Sequence, residues 1–212
     1  MPIWTRRLEW LSPNSPRNPH NFEVLDCREG CLAFAQAIEI EHSADAEAAL
    51  NRFAQSSASQ DIVRESLNSA CMIELQIAKD PSALFEAAAS DAGHRWRLEY
   101  VDGRVFARRR RTGQLVHIIE LEIDGRQANV RRVTSQSTYV YRLSEYAVAE
   151  IEFVLRTYLE GATPPFPIPP GLTYGDETRI AIAGWKAHGS IAKFARFLQM
   201  SFTQEATPSP LI

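Results

Sequence analysis

Polar and apolar residues alternate most regularly between 94 and 134. Four runs there, HRWRLEYV, RVFARRRR, QLVHIIELEI and RQANVRRVT, are separated by Asp102-Gly103, Thr112-Gly113 and Asp124-Gly125. Alternation at period two marks a strand with one buried face, and Asp-Gly supplies the positive φ angles that tight hairpin turns need. The pattern predicts a four-stranded antiparallel meander. Its expected buried face holds Trp96, Leu98, Tyr100, Phe106, Ile119, Leu121, Ile123 and Val130, with the register open by one residue. Upstream, NFEVLDC and CLAFAQAIEIE also alternate, and the Arg28-Glu29-Gly30 between them predicts an N-terminal hairpin. A helix over residues 31–41 is the competing reading, because Ala, Leu, Gln and Glu are good helix formers.

Elsewhere the apolar period lengthens to three and four. Ser43 can cap a helix carrying Ala46, Leu50, Phe53 and Ala54. A second helix is expected over 59–79, with Ile62, Val63, Leu67, Ala70, Ile73 and Ile77 on its stripe, and Asp80-Pro81 opens a third over 81–91. Ser144 begins a long helix whose stripe, Ala147, Val148, Ile151, Val154, Leu155, Tyr158 and Leu159, can cover the meander before Gly161 ends it. Pro164, Pro165, Pro167, Pro169 and Pro170 then force an extended strap within 161–175. Asp176 caps a short helix that Gly189 terminates, and a last amphipathic helix is expected from Ser190 through Met200. The order reads as α+β: a four-stranded antiparallel meander covered by helices, with an N-terminal hairpin and a C-terminal helical segment after the strap. A Pro-containing arm over 1–20, one domain over 21–200 and a tail over 201–212 complete the organisation. No internal repeat is present.

Composition adds limits. The 212 residues are 45% hydrophobic and 23% charged, with three cysteines, no run long enough to span a bilayer and no apolar signal region near the start. A cytoplasmic protein without a disulfide framework or membrane contact is expected. Of the 23 basic residues, all but Lys79, Lys186 and Lys193 are Arg. GC-rich bacterial coding is one explanation; the other is selection for the bidentate guanidinium fork.

Charge distribution supplies the functional lead. Residues 94–134 hold ten Arg against five acids, about +5, so a net charge of -3 hides about -8 elsewhere. Arg95, Arg97, Arg109, Arg111 and Arg131 are the candidate binding residues on an open sheet face. Pairing of those arginines with Glu99, Glu120 and Glu122 is the competing structural reading. The expectation is a non-catalytic protein-interaction module, accessory, chaperone-like or toxin-neutralising, that meets an acidic partner surface. Binding of nucleic acid or another anion on the same face is the alternative, and an enzyme without a readable motif is the third. Neither a G-x-S-x-G, an H-E-x-x-H nor a phosphate-binding G-x-x-x-x-G-K-[ST] occurs, so no catalytic residue, cofactor or metal is assigned. His117, inside an apolar strand, reads as a satisfied core histidine. Cys27 and Cys31 read as buried thiols, or as a redox pair if a hairpin sets them opposite each other. FPIPP reads as a strap, or as an arm joining a second subunit in a homodimer.

The stretch HGSIAKFARFLQMS resembles the first helix and turn of bacterial helix-turn-helix regulators over fourteen residues. It departs from that pattern at Gln199, where the turn usually has Gly, and at Phe194. Pro208 and Pro210 then break the segment where a recognition helix would follow. What the stretch predicts here is a terminal amphipathic helix packed on the domain.

Overall fold

A computed structural model describes residues 8–30, 66–77, 94–136 and 144–198. The described chain is mostly strand. A five-stranded antiparallel sheet is built from β3 (Ser66–Gln76), β4 (Trp96–Val101), β5 (Arg104–Arg109), β6 (Leu115–Asp124) and β7 (Gln127–Gln136), in the order β3-β7-β6-β5-β4. A smaller mixed sheet joins β1 (Glu9–Leu11), β2 (Val24–Asp26), β8 (Phe166–Pro167) and β9 (Phe194–Arg196), in the order β1-β2-β9-β8, with β8 and β9 parallel. Beside them lie the α-helices α1 (Ser144–Leu155) and α2 (Glu177–His188). A π-helical turn, Arg156–Glu160, extends α1. Two sheets with few helices replace the expected helix-covered four-stranded meander.

The meander strands themselves form as the alternation predicts, and turn chemistry sets their register. Asp102 and Gly103 both have positive φ, 49° and 74°, so a two-residue loop joins β4 to β5 and pairs Val101 with Arg104. Every later pair follows: Tyr100 faces Val105, Leu98 faces Ala107 and Trp96 faces Arg109. Parity therefore puts Val105, Ala107 and Arg109 inside, and Phe106, expected inside, lies on the outer face opposite Glu99. One residue of register separates the two outcomes.

Three expected elements are replaced. The helix over 59–79 is overturned by β3, which pairs with β7 along its length and makes the fifth strand. Leu67, Ile73 and Ile77 satisfy a helical stripe, yet Leu67, Ser69, Cys71, Ile73, Leu75 and Ile77 also alternate, and pairing with β7 selects the second period. The last helix is overturned by β9, held between β2 and β8; this also removes the helix on which the resemblance to helix-turn-helix regulators rests. Residues 28–30 are helical, so the loop of the expected N-terminal hairpin is absent, and β2 pairs with β1 and β9. The helices expected near 43–58 and 81–91 lie outside the described residues.

One core unites both sheets. Ile73, Leu75, Leu98, Val105, Ile119, Leu121 and Val130 from the large sheet meet Ile151, Val154 and Leu155 of α1, Phe166 of β8, Ile180 of α2 and Ala195 of β9. Each of the Val, Leu, Ile and Phe side chains contributes roughly 1.5–3 kcal/mol on burial. α1 packs across β3 and β7 as its apolar stripe requires, and Gly161, at φ 66°, closes the π turn. The proline strap delivers Phe166 to the core, where its ring lies against Gly184 of α2.

Candidate functional site

Strand pairing divides the meander arginines between three environments. On the outer face of the large sheet, cross-strand rows run Val101, Arg104, Glu120, Arg132, Ala70 and Glu99, Phe106, Ile118, Thr134, Asn68. Arg97 pairs with Glu99 at 2.8 Å, and Arg132 lies 3.7 Å from Glu120. Arg131 occupies the bulge of β7 and pairs with Glu122 at 3.1 Å. With Glu74 and Asp124 also exposed, the signs on this face nearly cancel. These pairs are solvent-exposed and contribute little to stability.

The second environment is the basic corner where β4 begins and β5 runs into the β5–β6 turn. The Arg110 amide donates to the Arg95 carbonyl, which brings this turn against the start of β4. Arg95 stacks over Trp185 of α2, 5.0 Å from the ring centroid, and its Nε has no hydrogen-bond partner. Burial lowers the Arg95 pKa, and the neighbouring Arg111 lowers it further. Among the described residues no acid pairs with Arg95 or with Arg111.

The third environment is the interior. Arg109, expected on the open face, is 7% exposed. It lies 3.7 Å over the Trp96 ring and donates from Nη1 to the Ala187 carbonyl, and its Nη2 is 3.5 Å from Glu150. Glu150, projecting from α1, is the hub of a buried polar cluster. His117 Nε2 is 3.2 Å from Glu150 Oε2, His117 Nδ1 is 2.7 Å from Ser135 Oγ, and His188 Nε2 is 3.8 Å from Glu150 Oε1.

Proton positions follow from the partners. The Trp96 indole donates to His188 Nδ1 at 3.2 Å, so neutral His188 carries its proton on Nε2, facing Glu150. An ionised Glu150 only accepts, so His117 donates from Nε2 and receives the Ser135 hydroxyl proton at Nδ1. Burial alone would raise the Glu150 pKa, but the hydrogen bond from His117 and the charge of Arg109 hold it down to about 2. Burial lowers both histidines, His188 to about 3, against the opposing pull of Glu150. At neutral pH the cluster is one carboxylate, one guanidinium and two neutral imidazoles.

Ser135, His117 and Glu150 thus carry the proton order of a serine nucleophile, base and orienting acid. Ser135 and His117 are wholly buried, however, and Glu150 is 1% exposed, so no substrate reaches the hydroxyl in this conformation. The chemistry available there is structural: every charge is matched in the interior, where an unmatched one is costly. His117 alone was visible in the sequence. The missed signal was Glu150, an acid between Ala147 and Val154 on an otherwise apolar helical stripe.

Of the two cysteines expected to face each other, Cys27 is fully buried and Cys31 lies outside the described residues. Among the described residues, no group of three ligating side chains could hold a metal ion, and no helix is long and apolar enough to cross a membrane. No family model, no curated protein and no solved structure matches the chain.

Proposed function

We propose that the protein is a non-catalytic binding module that takes an acidic segment of a partner protein at the corner formed by Arg95 and Arg111, with Arg97 at its margin. The observation that carries this reading is a pair of guanidinium groups close enough to repel, with no acid among the described residues to compensate either. An incoming carboxylate relieves that repulsion by pairing with the exposed Arg111 guanidinium beside Arg95. Stacking on Trp185 holds the Arg95 guanidinium in place, so less side-chain freedom is lost on binding.

Charge on the adjoining face favours a short acidic segment over nucleic acid. A polynucleotide leaving the corner would run its phosphates over Glu99, Glu120 and Glu122, whereas one or two carboxylates fit within it. The test is fluorescence anisotropy at low salt with a labelled hexa-aspartate peptide and, separately, a labelled single-stranded oligonucleotide. The peptide should bind, and Arg111→Glu should weaken it at least about tenfold, a loss of roughly 1.4 kcal/mol. Equal peptide binding by Arg111→Glu would remove the corner from the reading. Tighter, steeply salt-dependent oligonucleotide binding would establish the nucleic-acid alternative.

A further inference from the structure

A second basic site lies away from this corner, in a groove of about 240 Å³ between the loop before β2, the α1 surface, the proline strap and β9. Its space corresponds to about eight water molecules at liquid density. Pro164, Pro165, Pro167 and Phe153 supply apolar wall, and no proline offers an N–H. The ionic groups are Arg156, Glu152 and Arg196. Arg156 opens the π-helical turn, a feature frequent at functional sites. It is already matched, 2.9 Å from Glu152 and 3.1 Å from Glu160. Arg196 differs: its guanidinium stacks over Phe22 at 4.8 Å, and no acid among the described residues pairs with it. His20 stacks on the same Phe22 ring, 5.2 Å between centroids, and its Nε2 has no hydrogen-bond partner.

We propose that this groove binds a small aromatic carboxylate, with its carboxylate on Arg196 and its flat apolar body against Pro164, Pro165 and Pro167. One uncompensated cation sets the ligand charge at one, because a dianion would leave surplus negative charge beside Glu152. Phosphate is disfavoured further, since its several oxygens need donors that proline walls do not supply. The guanidinium fork matches a carboxylate in plane, and Phe22 holds that fork in a fixed orientation.

The experiment is an NMR titration of the full chain with benzoate, benzamide and inorganic phosphate, following the His20 ring signals and the Arg196 backbone amide. Benzoate should move both saturably, with half-occupancy at about 1 to 10 mM. Benzamide, of the same shape but neutral, should bind at least about tenfold more weakly, and phosphate should not saturate. Arg196→Gln should remove benzoate binding, whereas Arg132→Glu, on the outer face of the large sheet, should leave it unchanged. Equal affinity for benzamide, preference for phosphate, retained binding by Arg196→Gln, or no saturation by benzoate would each overturn the proposal. The benzoate and benzamide comparison uses the unaltered protein, so the outcome does not depend on whether a variant folds.

Discussion

At the residue scale, the most consequential side chain is Glu150. Its carboxylate is surrounded by Arg109, His117 and His188 inside the core, and removing one partner leaves the other charge buried and unmatched. Arg109→Met should therefore destabilise the fold by roughly 3–5 kcal/mol in urea denaturation, and Arg109→Met with Glu150→Leu should recover part of that loss. A double variant no more stable than the single one would mean that Glu150 is matched without Arg109. The same cluster sets a pH dependence. His117 and His188 have folded-state pKa values below their ordinary 6.5, so between that value and the folded value the unfolded chain binds more protons. Their contribution is complete above pH 6.5 and declines as pH falls below it, for His188 toward about 3. Glu150, held at about 2 against an ordinary 4.5, adds a further loss below 4.5. All three act in one direction, so the midpoint of thermal unfolding should fall steadily from pH 7 to pH 4. His188→Phe should flatten the upper part of that curve. An unchanged slope would show that His188 does not carry it.

At the element scale, turns were legible and periods were ambiguous. Asp102-Gly103 specifies a two-residue loop because few other dipeptides tolerate two positive φ angles, and the β4–β5 register follows from it. Residues 66–76 illustrate the opposite case: their apolar positions suit a helix and a strand alike, and the choice was made by β7, some sixty residues away in the chain. The segment around Phe194 is similar, helical in composition but extended between β2 and β8. Packing between elements gives a further prediction. A Cβ on Gly184 would come within 2.8 Å of the Cε carbons of Phe166, so α2 and the strap approach closely only because this helical position lacks a side chain. Gly184→Ala should cost roughly 1–3 kcal/mol by overpacking, despite the better helix propensity of Ala, and Phe166→Leu should lessen that cost. A stabilised Gly184→Ala protein would contradict this contact.

At the scale of the whole molecule, charge is organised by the sheet and not by the order of residues along the chain. The excess of Arg in 94–134 is divided among an outer face where acids balance it, an interior where Glu150 matches Arg109, and a corner where no acid among the described residues pairs with Arg95 or Arg111. Arg132→Glu should leave hexa-aspartate binding within about twofold, since Arg132 already neighbours Glu120, while Arg111→Glu should weaken it as described. Equal losses from both would mean that long-range net charge governs association. The sequence alone determined the four meander strands, the turn after β4, the helical stripe of α1 and its stop at Gly161. These depend on local dihedral preference and on periodicity within one segment. Tertiary structure alone decided the fifth strand, the second sheet, the inward turn of Arg109 and the gathering of Ser135, His117, Glu150 and His188. The physical reason is that backbone hydrogen bonds and buried charges are satisfied by partners distant in sequence, and no local pattern names the partner.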